Sequence, residues 1–383
     1  MSVTKLQALF FMQEATFGTD PAATGSGYAY LHAWDAQLKL QQTVVERPFQ
    51  QNVWSRYAHV LGGKSGTLSF KTELRGTQTA ASAGVSAIAG ESGPLLKALF
   101  GTQDLDQGGT TTTGSTTTSL VLATGHGARF SIGNLILVDV STTYGLVATQ
   151  ITNIATDTLT VSPALPAAPA TGRAVYAGAN YLPATSGHVS QAFCVKGDGR
   201  EFSVLGGRCS GLKLGGITAN GRGVFEWQYQ FDSWTETTKA SLPAQTDAYT
   251  AGPVVVGSPL YLDGTATTIS EFDLTVDNDV QPTPSIGAAT GRSNLAVVNQ
   301  SYKGKVKPYF SSALLGAFSA GTSKQLVLQV GATAGNVVAV AIPACQFTAG
   351  DLEDVQQQLA LGLPFSVNLS GTANVPDCCV ALL

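Results

Sequence analysis

A chain of 383 residues is long enough for two domains or one large one, and it can bury a core without disulfide or metal support. Lys and Arg number 21 against 25 Asp and Glu, a net charge of −4; charged residues make up 12%, about half the usual share, against 44% hydrophobic residues. This balance excludes a disordered chain and a basic, phosphate-gripping surface, and so few charges protect a monomer poorly, which points to a surface covered by partner subunits.

The N-terminal stretch Leu6–Met12 follows Lys5 but is interrupted by Gln7, with Gln13 after it, and no small-residue cleavage site follows, unlike a secretory signal. Alternating or β-branched runs then predict strands at Leu38–Gln42 and Gly66–Leu74, and a short helix at Pro94–Phe100. Gly108–Thr118 is a Thr/Gly-rich linker, and brief strand patterns follow at Leu120–Ala123, Leu135–Val140, Leu146–Ile154, Leu159–Val161 and Arg173–Tyr176. Further strands are predicted at Arg200–Val204, Cys209–Leu214 and Val224–Phe231, and a Pro/Gly/Ala/Val-rich linker spans Pro243–Pro259. Phe272–Val276, Tyr302–Phe310, Gln325–Val330 and Phe365–Leu369 continue as strands around a second short helix, Ser312–Phe318. The apolar run Val337–Cys345 is too short to span a bilayer as a helix. The fold class is mainly β.

Element order recurs. Leu38–Gln42, Lys64–Leu74 and Gly93–Phe100 match Glu271–Val276, Tyr302–Phe310 and Ser311–Phe318; Arg200–Val204, Cys209–Leu214 and Val224–Phe231 match Gln325–Val330, Cys345–Thr348 and Leu363–Leu369. The expected organisation is an N-terminal arm (1–29), a first domain in two pieces (30–101 and 184–242), a small inserted β-domain (102–183), a linker (243–259) and a second domain (260–383). Chance recurrence in an all-β chain is the competing explanation.

No constellation of catalytic, cofactor-binding or metal-ligating residues stands out. His32, His59, His126 and His188 are scattered, and the five cysteines (Cys194, Cys209, Cys345, Cys378, Cys379) are odd in number and lack a CxxC, unlike a disulfide or zinc framework; that usage fits a reducing cytoplasm. Cys378–Cys379 has no His nearby in sequence for a catalytic dyad. Gly63-Lys64-Ser65 is an incomplete P-loop followed by a strand pattern instead of a helix. Asp277-Asn278-Asp279 lacks the later Gly and Glu of a calcium loop. Glu226, Asp232 and Glu236 beside Trp227 and Trp234 fit a sugar site or, more simply, a half-buried sheet.

Glu14-Ala15-Thr16-Phe17-Gly18-Thr19-Asp20-Pro21-Ala22 resembles the N-terminal signature of the tail tube (major tail) proteins of bacteriophages with long, flexible, non-contractile tails. Leu38-Lys39-Leu40, Glu46-Arg47-Pro48 and Gly62–Phe70 resemble the family's strand, turn and Gly-rich entry to a long strand; Pro94–Phe100 resembles its short helix, and Ile269–Val280 its strand with an Asn-containing bend. The resemblance covers nearly all of the chain outside the insertion. It implies two tandem tail-tube-type β-sandwich or barrel domains, each with a short helix. It also implies a structural virion protein, not an enzyme, made in the host bacterial cytoplasm and located in the virion tail. Such a protein assembles with itself into stacked rings that conduct DNA into the host through a neutral-to-acidic bore without holding it. Tail tip initiator, tape measure and tail terminator proteins are the implied partners; no cofactor and no membrane are implied.

A duplicated chain predicts three chains per ring with six pseudo-equivalent domains, in place of six single-domain chains. Ser2–Thr24, the Gln42–Tyr57 loop and the Gln281–Gln300 loop are the expected inter-ring contacts. The insertion is expected to decorate the outside, so that deleting Gly108–Leu182 spares assembly. A virion adhesion or carbohydrate-binding β protein is the runner-up. An outer-membrane barrel is disfavoured by the missing signal and the non-aromatic end Val380–Leu383.

Overall fold

A computed structural model describes residues 8–21, 28–46, 59–197, 200–218, 221–238, 252–253, 255, 259–355 and 357–383. Among the described residues the protein is mainly β, 60% strand and 5% helical, with two α-helices and curled sheets. β1 (Ala8–Gln13) pairs with β2 (Ala29–Leu31), and β3 (Ala33–Val45) forms a long hairpin with β4 (Val60–Glu73). α1 (Gly93–Phe100) starts with Pro94 in its first turn, where a missing N–H costs nothing, and buries Leu95, Leu96, Leu99 and Phe100. β5 (Gly101–Leu105) follows directly.

A separate six-stranded sheet comes next. Its members are β6 (Gly109–Thr110), β7 (Ser119–Val121), β8 (Leu135–Ser141), β9 (Gly145–Ala155), β10 (Thr158–Ser162) and β11 (Ala174–Tyr176), in the order β6-β11-β8-β9-β10-β7. β12 (Ala179–Pro183) then returns antiparallel along β5, with Ala179 opposite Leu105 and Pro183 opposite Gly101.

The chain continues through β13 (Gln191–Gly197), β14 (Arg200–Thr218), β15 (Val224–Phe231) and β16 (Ser233–Thr238). After these come β17 (Leu260–Leu262), β18 (Thr265–Thr267) and the long hairpin of β19 (Ile269–Pro284) and β20 (Arg292–Pro308). α2 (Ser312–Ser319), β21 (Lys324–Val330), β22 (Val338–Phe347), β23 (Asp351–Val355), β24 (Gln358–Val367) and β25 (Cys379–Leu382) complete it. One path of pairings runs β3-β4-β15-β14-β13-β1-β2, and another β19-β20-β24-β22-β21-β17-β18.

One apolar core runs through both paths, from Leu9 to Leu382. Its aromatic centre is Phe70, Phe193, Trp227 and Tyr229: Phe70 stacks on Tyr229 at 6.0 Å, and Phe193 meets Tyr229 edge-on at 4.7 Å. Such pairs contribute about 0.5–1.5 kcal/mol each beyond their buried area. Trp227 Nε1 donates to Thr72 Oγ1 at 2.9 Å, so the buried indole is satisfied.

β22 explains the continuous apolar run Val337–Cys345. Val338, Val340 and Ile342 point into the main core, whereas Val337, Ala339 and Ala341 pack with Leu135, Leu137 and Ala148 of the six-stranded sheet. A strand buried on both faces loses its polar alternation. Polar side chains lock the same contact. Gln329, 2% exposed, accepts from Ala148 N at 2.7 Å and donates to Leu146 O at 3.1 Å; buried Asn180 accepts from Leu135 N at 2.8 Å.

Several expectations are corrected. Residues 8–13, assigned to an arm spanning 1–29 and to the contact segment Ser2–Thr24, form β1 inside the main sheet, because Leu9 and Phe11 fill its core; residues 1–7 and 22–27 lie outside the described residues. Gln281–Gln300 is no loop: β19 and β20 extend the ladder to Pro284 and Arg292, leaving only 285–291 as its tip. The Gln42–Tyr57 loop begins later than expected, since 42–45 belong to β3; 47–58 lie outside the described residues.

The segment expected as an insertion, 102–183, includes β5 and β12, which belong to the main sheet and pair with each other; the six-stranded sheet is confined to 109–176. Gly108–Thr118 is not a loose linker: Thr111 Oγ1 donates to Ala170 O at 2.7 Å and Thr112 N to Val121 O at 2.7 Å. In the 243–259 linker, Val255 is buried in the main core. Most of that linker lies outside the described residues.

Candidate functional site: a charge-paired sheet face and its two edges

β14 is the hinge of the architecture. Its first half pairs with β13 and β16; its second half leaves them and pairs with β15 on one side and β19 on the other. The result is an uninterrupted antiparallel sheet, β3-β4-β15-β14-β19-β20-β24-β23. Period-2 alternation splits it into two faces. Leu68, Phe70, Phe225, Trp227, Leu274 and Val306 lie on the core face. The other face carries Lys, Asp, Glu, Gln, Ser and Thr.

On that polar face, lysines meet carboxylates on the adjoining strand or, for Glu353, across β24. Lys71 Nζ lies 3.5 Å from Asp35 and 3.6 Å from Glu226; Lys303 is 2.6 Å from Asp277; Lys305 is 2.9 Å from Glu353; Lys307 bridges Glu271 at 2.9 Å and Glu353 at 2.8 Å. Hydrogen bonds from Lys307 and Lys305 hold the Glu353 carboxyl below the usual range, and the bonds to Glu353 and Glu271 raise Lys307. Burial raises Asp273, and Lys213 opposes this. The face is therefore strongly polar and internally neutralised, not acidic. Each exposed pair adds little stability alone, but paired cations are unavailable to hold a polyanion.

Two Gly–Phe pairs mark matching points on the sheet. Gly66 in β4 lies opposite Phe231 in β15, and Gly304 in β20 lies opposite Phe365 in β24. In each case the ring lies over the glycine: a Cβ would stand 2.4 Å from Phe231 Cζ or from Phe365 Cζ. In the sequence, Lys64–Leu74 matches Tyr302–Phe310 by the order of elements alone, so neither the match of these glycines nor their phenylalanine partners was visible in it. The proposed equivalence of Cys209 and Cys345 does not follow from these markers. Cys209 faces Tyr229, two residues before Phe231, whereas Cys345 faces Val367, two residues after Phe365.

The Glu14–Phe17 motif has a local structural job. Glu14, 5% exposed, accepts from Gly18 N at 2.9 Å and from Gly206 N at 2.7 Å, so its carboxylate ties its own turn to β14. Phe17 packs near Gly206 and under the Arg208 guanidinium, 5.6 Å away. Arg208 Nε in turn donates to Leu295 O at 2.9 Å, in β20. The Asn278 bend acts similarly: Nδ2 donates to Leu99 O at 3.0 Å and Cys209 O at 3.1 Å, joining α1 and β14 to β19.

The residues considered for chemistry are not brought together. Glu226 pairs with Lys71, buried Asp232 with Arg292 at 2.9 Å, and Glu236 with Arg200, so the sugar-site carboxylates serve separate ion pairs. Gly63–Ser65 lies within β4. All five cysteines are buried and none forms a disulfide, and burial pushes the thiols of Cys209, Cys345 and Cys378 up to about 12, far from the thiolate a nucleophile needs. Among the described residues, no group of three or more His, Cys, Asp or Glu is placed to hold a metal ion, and no helix is long and apolar enough to cross a membrane.

In comparisons with known proteins, no family model matches the chain, and a search of curated proteins finds no match.

Proposed function

We propose that this chain is a structural subunit of a phage tail tube, which assembles with itself into stacked rings around a DNA-conducting bore. The observation that carries this reading is the eight-stranded sheet itself. It has a charge-paired polar face suited to line an aqueous bore, and two long-axis ends, β3 and β23, whose outer edges have no strand partner among the described residues. Closing such a sheet with copies of itself removes those edges.

In this reading the two pairing paths are tandem tube domains, 30–101 with 184–242 and then 260–383. Each contributes four strands to the polar sheet. Three chains then form a ring of six pseudo-equivalent domains, and the six-stranded sheet lies on the outer side, behind β21, β22 and β25. The subunit belongs to the virion tail. The neutralised face lets DNA slide: the lysines give weak local attraction, and the carboxylates beside them prevent a tight grip.

Negative-stain electron microscopy of the purified chain tests the proposal. Rings or hollow rods with three chains per ring are the expected result. Six chains per ring would overturn the tandem arrangement, and single particles under every condition of salt, pH and concentration would overturn the function.

A further inference from the structure

We propose that the outer edge of β23 in one copy of the chain pairs antiparallel with the outer edge of β3 in the next, in the register that already joins β14 to β19 within the chain. The inference rests on the ring reading and specifies the junction that closes it.

The two Gly–Phe pairs set the register. Counting back four residues from Phe231 and from Phe365 gives Trp227 and Leu361, which face Leu212 and Leu352. Leu352 and Glu353 on β23 thus stand where Leu212 and Lys213 stand on β14. Gly66 and Gly304 face Leu40 and Leu274, so Lys39 and Leu40 on β3 stand where Asp273 and Leu274 stand on β19. Inside the chain Leu212 pairs with Val276, Lys213 with Thr275 and Leu214 with Leu274. Between copies the same rule pairs Leu352 with Gln42, Glu353 with Gln41 and Asp354 with Leu40.

Three features single out this partner. The first is apolar surface left open. Leu212 and Leu274, at the internal junction, are 3% and 1% exposed, whereas their counterparts Leu352 and Leu40 are 61% and 37% exposed. The second is space. An open groove of about 1050 Å³ runs along β3, lined by residues that include Trp34, Leu38, Leu40 and Trp227. Beside β19 the corresponding places are filled: Phe272 and Glu271, the counterparts of Leu38 and Gln37, pair with Ile217 and Thr218 of β14. The end of β14 occupies the place that is open beside β3.

The third is charge. At the internal junction Lys213 and Asp273 lie together over Gly215, whose Cβ would stand 3.4 Å from Lys213 Cε and 3.2 Å from Asp273 Oδ1. At the junction between copies the counterparts are Glu353 and Lys39. Both signs are reversed, so attraction is kept. Lys39 is exposed and has no ion-pair partner among the described residues. The reversal also selects partners: Glu353 set against Asp273, or Lys213 against Lys39, would repel. Specificity of this kind comes from penalising the wrong junction as well as favouring the right one.

Cross-linking of the full chain tests the junction. Gln42→Cys combined with Leu352→Cys, oxidised with diamide, is expected to give a non-reducing gel ladder that ends in one closed covalent species. Gln37→Cys combined with Leu352→Cys, five residues out of register, is expected to give none. Rings without the first cross-link, or with the second instead, overturn the junction but leave the ring reading intact. Failure of the unmodified chain to form any oligomer overturns both. Lys39→Glu, an exposed change that spares the fold, is expected to lower the assembled fraction by about tenfold at low salt, and unchanged assembly would overturn the ion pair even if the cysteine variants failed to fold.

Discussion

Gly66 and Phe231 face each other across β4 and β15, and the phenyl ring fills the space that any side chain on Gly66 would need; a Cβ there would stand 2.4 Å from the ring and 2.1 Å from the Lys39 carbonyl oxygen. One contact is to backbone, which cannot turn aside. Gly66→Ala is therefore expected to destabilise the chain by about 1–3 kcal/mol or more, through overpacking. Adding Phe231→Leu should recover only the ring's share. Gly304→Ala, with Cζ of Phe365 at 2.4 Å and Asp273 O at 2.4 Å, should behave in the same way. Urea midpoints check this, and a Gly66→Ala protein as stable as the parent would contradict the pairing.

Asp106 carries a pH-dependent cost. It is 6% exposed, and burial raises its carboxyl from 3.8 to about 6 despite hydrogen bonds from Asn134 and Ser131. The folded value lies above the unfolded one. Its contribution is therefore fully present below pH 4 and is lost as the pH rises through 6. Asp106→Asn should stabilise the protein at pH 7 by roughly 1–3 kcal/mol and make little difference at pH 3.5. Thermal unfolding at the two pH values decides it; a gain that is the same at both would sink the explanation.

Glu14 joins two backbone amides through one carboxylate. A glutamine keeps one acceptor oxygen but turns an N–H₂ toward the other amide. Glu14→Gln should cost about 1–3 kcal/mol, the penalty for a buried donor left without an acceptor. Hydrogen exchange should show faster amides at Gly18 and Gly206. Unaltered exchange at both would remove Glu14 from this role.

The six-stranded sheet covers an apolar face of the main sheet, so deletion of Gly108–Leu182 is expected to do more than remove an outer decoration. That deletion takes away buried Tyr181, and even the narrower removal of 106–178, closed between the paired Leu105 and Ala179, bares Val327, Val337, Ala339, Ala341 and Ala381. The narrower deletion is expected to aggregate or bind a hydrophobic dye, and to regain solubility when Val327, Val337, Ala339 and Ala341 are replaced by Thr or Ser. A soluble, dye-silent deletion without those replacements would show that the covered face is not needed.

The sequence alone carried the β class, both helices and most strand positions, because alternation and β-branching are local signals. Leu38–Gln42, Phe225–Phe231 and Phe272–Val276 all fall inside strands, and Pro94 announced α1. The Glu14–Phe17 segment was visible as a motif, but its job was not, because its partners Gly206 and Arg208 lie nearly two hundred residues away. What only the tertiary structure decided are the long-range choices. β14 changes neighbours halfway along its length, β19 joins it to make one sheet from both halves, and lysines at scattered positions meet carboxylates across strands. Strand pairing follows which apolar faces can be buried together, and that depends on every strand at once. A single segment's composition cannot encode it.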